Sequence, residues 1–171
     1  IQRCQRHKRE NVLAYLDPTQ QALCRQKMKD AYQKTTYKEA KAALVRLHQE
    51  LEKVNQSAAN SLLEGLEETL CLHRLGVSPE LGKSLNTTNC IESVMSQIEQ
   101  YTQKVDRWHN SAQILRWNAA SLLEIEPRLR KIRGFRLLKV LRYKMSHEVN
   151  RLRNQSTSAL ADVEIIESGV I

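Results

Sequence analysis

Apolar positions along this chain recur at intervals of three and four residues, block after block, which is the spacing of one face of an α-helix. Between His7 and Leu16 the repeat places Val12, Leu13 and Leu16 on one side. Asp17-Pro18 supplies an N-cap followed by proline at the first helical position. The helix so opened runs to about Tyr32, with Cys24, Met28, Ala31 and Tyr32 on one face. Thr35-Thr36 punctuates, and the cleanest stripe follows over about 37–54: Ala40, Ala43, Leu44, Leu47, Leu51 and Val54. A break near Asn55 leads into a helix predicted from about Gln56 to Leu75, with Gly76 as its stop. Ser78-Pro79-Glu80 starts a short helical turn. Asn89 then reads as the N-cap of a helix bearing Ile91, Val94, Met95, Ile98 and Val105. A further helix is predicted from about Asn110 to Glu126, ended by Pro127, and a stripe of Leu137, Leu138, Leu141 and Met145 comes after it. Periodicity fades from about Asn154, so 154–171 reads as a loose tail.

The pattern predicts a mainly α fold, with at most one short strand, in residues 1–5. Five glycines and three prolines leave little room for a turn-rich β protein. Hydrophobic residues make up 41% of the chain, enough for a core. No apolar run approaches a membrane span and no signal-peptide pattern opens the sequence, so no membrane partner is expected. Four cysteines (Cys4, Cys24, Cys71 and Cys90) lie far apart and make no secreted-domain framework, which favours reduced thiols in the cytoplasm.

A net charge of +8 changes the picture, because it favours a polyanionic partner, most simply nucleic acid. The basic side chains crowd one stretch: Arg128, Arg130, Lys131, Arg133, Arg136, Lys139, Arg142 and Lys144. Contact with phosphates requires only charge and reach, although such a run also reads as a solvated outer face. Trp108 and Trp117 are candidates for stacking on bases. Packing into the core is the commoner fate of tryptophan in a chain whose aromatics are only 5% of residues.

The candidate chemistry centres on Glu92. It sits in the first turn of its helix, beside the apolar stripe, where the helix dipole favours negative charge. A carboxylate there can ligate a divalent metal, or it can close a capping pair with Asn89 three residues back. Cys4-x-x-His7 has zinc-ligand spacing but is half a site, and Cys71-x-His73 is an unusual second half. A structural zinc site needs four ligands in closed geometry, so zinc is not expected, and a buried thiol with a hydrogen-bonded histidine is the other reading. Glu64, Glu67 and Glu68 crowd one helix and read as a solvated face partly paired with basic neighbours. Gly65 among them costs helix stability and suggests a close helix–helix approach. No Ser-His-Asp order, phosphate-cradling glycine loop or CxxC pair occurs.

Several strings together resemble one family. QRCQRHKREN (2–11), SAANSLLEGLEETLCLHRLGV (57–77), TTNCIES (87–93) and the Arg-Trp pairs at 107–108 and 116–117 are similar to the Mutator-type transposases of bacterial insertion sequences. Order and spacing agree, and the likeness covers most of 1–145. It implies an RNase H-like core with two aspartates and a glutamate, interrupted by a helical insertion. TTNCIES matches the glutamate segment, so the resemblance gives Glu92 the catalytic, metal-ligating role, and gives Cys4 and His7 that of shaping the site. Residues 1–17 would then end the core as a strand and a helix, 18–85 would be the insertion, and 86–153 the glutamate helix and C-terminal helices. The implied chemistry is phosphoryl transfer at DNA ends with a pair of Mg²⁺ (or Mn²⁺) ions, hard cations that prefer oxygen ligands. Implied partners are double-stranded DNA of transposon ends and target, the N-terminal part of the enzyme, and further copies of the chain, in the bacterial cytoplasm at the nucleoid. Asp17, Asp30, Asp106 and Asp162 do not stand in matching contexts. The expectation is therefore a C-terminal portion holding one catalytic carboxylate of three and inactive alone. The alternative is a stand-alone basic helical nucleic-acid-binding module in which Glu92 serves as a cap.

Overall fold

The computed structural model describes residues 1–168, with side chains as far as Asn154. Residues 1–4 precede the first helix, with Cys4 in extended backbone, and among the described residues there is no strand. Arg3 N donates to Glu68 O at 3.0 Å as an isolated bond rather than part of a ladder. From Gln5 the chain is helical: α1 spans Gln5–Leu13, α2 Pro18–Tyr32, α3 Tyr37–Glu52 and α4 Gln56–Leu63. Two of these starts are fixed by side chains. At α3, Thr36 Oγ1 accepts from Glu39 N while the Glu39 carboxylate accepts from Thr36 N, both at 3.3 Å, a reciprocal capping box. At α4, Asn55 Oδ1 accepts from Ala58 N at 3.0 Å.

The predicted stripes of the first helices are mostly their buried faces, but Ala43 is half-buried, and Val54, beyond the C-terminal end of α3, is exposed because no helix continues to carry it inward. Val12, Leu13 and Leu16 meet Cys24, Met28 and Ala31 of α2, together with Ala40, Leu44, Leu47 and Leu51 of α3. Ala58, Ala59 and Leu62 of α4 complete the core, with α1 lying on α2 and α4 and α3 on the same two helices. Met28, Leu44 and Leu62 have no exposed surface. Burial of each side chain of that size stabilises the fold by about 1.5–3 kcal/mol.

The long helix predicted over Gln56–Leu75 is instead three pieces: α4, then α5 (Leu66–Thr69) and α6 (Cys71–Arg74). The break is at Gly65, which has φ +64° and sits against the side chain of Arg3 rather than against another helix backbone. A left-handed residue ends a helix and frees its last carbonyls. Lys8 answers them. Its ammonium, buried at 4% exposure, donates to Ser61 O at 2.6 Å and to Glu64 O. Gly76 ends α6 as expected. Gly76 N donates to His73 O at 2.9 Å and Val77 N to Leu72 O at 3.1 Å, the paired bonds of a Schellman motif.

α7 (Ser78–Leu85) leads into α8 (Asn89–Thr102), which packs on α9 (Ser111–Ile125). Asn110 caps α9, its Oδ1 accepting from Gln113 N at 2.9 Å. No residue of α8 is buried, and Ile91 and Met95 of the predicted stripe are exposed. Trp108 and Trp117 are also exposed, which corrects the expectation of core packing: α9 buries only Ser121 and Ile125. A 3₁₀ turn at Glu126–Arg128 carries Pro127.

The chain divides into two units, Ile1–Phe135 and the residues from Arg136 onward. The second consists largely of α10 (Leu138–Ser168), preceded by a 3₁₀ turn at Phe135–Leu137. On it Leu138, Met145, Val149 and Leu152 are exposed. The tail expected over 154–171 falls, beyond Asn154, outside the residues whose side chains are described. Mainly α architecture is thus what the hydrophobic pattern predicts. Among the described residues no helix is long and apolar enough to cross a membrane.

Candidate functional site

Two helix N-termini that are far apart in sequence meet at Glu92. Cys4 occupies the N-cap position of α1, and Thr88 that of α8. The two ends are tied by backbone, Gln5 N donating to Asn86 O at 2.8 Å. Asn89, expected as the cap, lies one residue inside the helix, and its side chain accepts from Arg6 Nη1 at 3.3 Å. The capping pair of Asn89 with Glu92 does not form. Thr88 takes that place, its hydroxyl donating to Glu92 Oε1 at 2.5 Å, while Glu92 N donates to Thr88 O at 2.9 Å.

Around the carboxylate stand the residues that the sequence singles out. His7 Nε2 is 3.5 Å from Glu92 Oε1, and Arg6 Nη1 is 3.9 Å from Oε2. Thr88 Oγ1 lies 3.6 Å from Cys4 Sγ. The hydroxyl has one proton. That proton points to Glu92 Oε1 at 2.5 Å or toward Cys4 Sγ at 3.6 Å, so the hydroxyl is one donor that carboxylate and sulfur share. Burial opposes ionisation of the Cys4 thiol, but donors outweigh it: the His7 amide, the Thr88 hydroxyl and amide, and the Arg6 amide hold its pKa below the ordinary value. Glu92 and His7 are 44% and 58% exposed, and ion pairs in such surroundings are worth about 0–1 kcal/mol. The corner is therefore held by the backbone tie and the Thr88 bond rather than by its charges.

As a metal centre the corner is incomplete. Among the described residues no three His, Cys, Asp or Glu side chains are grouped so as to hold an ion. Glu92 offers one hard oxygen donor, and Mg²⁺ is commonly held through one or two carboxylates with water completing its shell. Glu92 fits as one ligand of such a site and does not make the site alone.

The other candidates are dispersed. Arg128 donates to Tyr101 Oη and, through Nε, to Glu124 O at 3.2 Å, so its guanidinium covers the end of α9. Arg130 is exposed. Lys131 lies over the Phe135 ring at 5.0 Å, and the Arg133 amide donates to Ser84 Oγ at 3.0 Å. Arg136 and Lys139 belong to the second unit. Two members of the acidic cluster are paired: Glu64 with Arg3 at 3.0 Å and with Lys8 at 3.6 Å, and Glu67 with Lys41 at 2.5 Å and with Tyr37 Oη at 2.6 Å. His73 is buried, with Tyr32 O and Lys34 O each 3.1 Å from Nε2. Those carbonyls require the proton on Nε2. Nδ1 is then a buried acceptor with no partner.

Sequence reasoning missed Arg6 and Thr88 as members of this corner, and gave Asn89 the N-cap position that Thr88 holds. Arg6 lies between Cys4 and His7. Thr88-x-x-x-Glu92 has the one-turn spacing at which a cap hydroxyl reaches a carboxylate, and that spacing is the signal that points to Thr88.

Neither the curated proteins nor the solved structures give a match to this chain. The model of the family described as "Transposase, Mutator family" matches residues 1–128, a span that includes every residue of the Glu92 corner, and the chain belongs to the Mutator family of transposases.

Proposed function

We propose that this chain acts in DNA transposition and that Glu92 is one of three carboxylates of an RNase H-like DDE centre for strand cleavage and transfer. The observation that carries the reading is the Glu92 corner itself: a carboxylate oriented by Thr88 at a helix N-terminus, with His7 and Arg6 against its oxygens. Two further carboxylates come from the N-terminal part of the enzyme. Mg²⁺ or Mn²⁺ bound among the three supplies the positive charge that activates a water or 3′ hydroxyl and stabilises the leaving oxygen.

The chain's own residues have separate tasks in this reading. Thr88 holds the carboxylate in one rotamer. Arg6 presents its guanidinium to a phosphate beside it, Cys4 supports Thr88, and His7 occupies the rim. Arg130, Lys131, Arg133, Arg136 and Lys139 contribute phosphate contacts that need only charge and reach; Arg128, held by Tyr101, contributes less. The partner is double-stranded DNA of the transposon ends and target.

The test is strand cleavage at transposon ends by the complete transposase carrying Glu92→Gln. Cleavage falls by three orders of magnitude or more, in line with the loss of a group that stabilises developing charge, while DNA affinity is retained. The 171-residue chain alone gives no cleavage. Cleavage by Glu92→Gln near the wild-type rate overturns the assignment.

A further inference from the structure

A groove of about 610 Å³ lies between α1, the C-terminal end of α2 and α7, and it ends at the N-terminus of α8. Its walls carry five cationic side chains, Arg6 and Arg9 from α1, Lys29 and Lys34 from the end of α2, and Lys83 from α7, and no carboxylate. Of these, Arg9 approaches Glu10 at 3.4 Å and Arg6 approaches Glu92 at 3.9 Å. Among the described residues Lys29, Lys34 and Lys83 have no ion-pair partner, and all three are exposed. Five like charges facing one cleft repel one another, and a folded chain that keeps them there has positive potential gathered along that cleft. The first turn of α8 adds its positive dipole end through Asn89.

The groove is built rather than incidental. The turn after α2 that carries Lys34 is pinned from behind by His73, which donates from Nε2 to Tyr32 O and Lys34 O. On the opposite wall, a Cβ at Gly82 would stand 2.6 Å from the Asn86 amide and 3.1 Å from Ser78 Oγ, so glycine lets that wall lie flat. Arg6 belongs both to the groove and to the Glu92 corner, where it also donates to Asn89. The cationic track therefore leads to the carboxylate.

We propose that this groove is a phosphate-backbone track that seats DNA and delivers one strand to Glu92, with Lys29, Lys34 and Lys83 as its phosphate contacts. The proposal rests on the reading of the chain as one that acts on DNA, and it moves the main contact from the basic run after Arg128 to a cleft that the sequence does not reveal. The groove's cations are scattered between Arg6 and Lys83, and only the fold gathers them.

The experiment is fluorescence-anisotropy titration of a short labelled DNA duplex with the 171-residue chain over a range of salt concentrations. The variants are the triple substitution Lys29→Gln, Lys34→Gln, Lys83→Gln and a control triple at exposed lysines outside the groove, Lys38→Gln, Lys53→Gln, Lys104→Gln. Each phosphate contact contributes roughly 0.9 to the slope of log affinity against log salt. The groove triple is expected to lower the slope by about 3 while keeping the wild-type melting curve, and the control triple by less than about 1. A wild-type slope in the groove triple, or an equal drop in the control, overturns the groove while the DNA-acting reading stands. Absence of duplex binding by the wild-type chain overturns both.

Discussion

His7 Nε2 and Glu92 Oε1 lie 3.5 Å apart, although the two residues belong to helices far apart in sequence. What joins them is backbone: the start of α1 is bonded to the end of α7 through Gln5 and Asn86. The contact itself is too exposed to carry the arrangement. Orientation of the carboxylate depends on the hydroxyl of Thr88.

Thr88→Val keeps the shape of that side chain and removes its proton donor. In the complete transposase the expected result is a cleavage rate lower by about ten- to a hundredfold, the scale of a small misplacement at a reacting centre. DNA affinity stays unchanged and Thr88→Ser restores most of the rate. Single-turnover cleavage at saturating DNA reads the effect, and a Thr88→Ser rate as low as that of Thr88→Val contradicts it.

Lys8→Ala removes the buried ammonium that caps α4. Ser61 O and Glu64 O then lose a charged donor, which costs about 2–3 kcal/mol in urea unfolding of the chain. Lys8→Met keeps the stem and is expected to recover only the packing share. Full recovery in Lys8→Met would show that the carbonyls do not need the charge.

Gly65→Ala tests the helix break. A side chain at φ +64° is strained by about 1–2 kcal/mol, and its Cβ would displace the Arg3 side chain. A melting temperature equal to wild type is the opposing result.

Burial holds the His73 pKa below its ordinary value of 6.5, against the pull of the Tyr32 and Lys34 carbonyls. Between the lowered folded value and 6.5 the unfolded chain binds the extra proton, so stability is full above about pH 6.5 and declines as pH falls through that window. The Glu64 pKa is lowered by the Arg3 hydrogen bond first and by Lys8 next, so its stabilising share is present above 4.5 and lost at lower pH. Unfolding free energy measured from about pH 8 to about pH 3 in wild type and in His73→Gln separates the two. The variant is expected to lose the decline that begins at 6.5 and to keep the one below 4.5. An unchanged profile in the upper window contradicts the role of His73.

Cys4 and Cys24 differ in the same terms. Burial raises the Cys24 pKa, whereas amide and hydroxyl donors bring that of half-buried Cys4 down. Alkylation followed by mass spectrometry is expected to label Cys4 far faster than Cys24 at about pH 7 to 8. Equal protection of the two thiols contradicts the geometry of the Cys4 corner.

The stripes of α2 and α3 were legible because each buries its apolar face against a neighbour that the same chain supplies. Ile91 and Met95 of α8 have the same spacing, yet they face outward, because spacing reports a face and not what covers it. The break at Gly65 was hidden for a related reason. Leu62, Leu66 and Leu70 keep helical spacing across it, and only the donors of Arg3 and Lys8, distant in sequence, make the interruption stable. Glu92 is singled out in the sequence by its first-turn position and its motif. Its partner Thr88 is not, since moving the helix start by one residue exchanges Asn89 for Thr88 as the residue at the N-cap.

That Glu92 ligates a metal is tested most directly by a change of metal preference. Glu92→Cys replaces a hard carboxylate oxygen by a softer thiolate, which binds Mg²⁺ poorly and Mn²⁺ better. Cleavage of transposon ends by the complete enzyme is measured in each metal alone. Glu92→Cys is expected to be inactive in Mg²⁺ and to regain measurable cleavage in Mn²⁺; a wild-type rate for Glu92→Cys in Mg²⁺ would show that the carboxylate holds no metal.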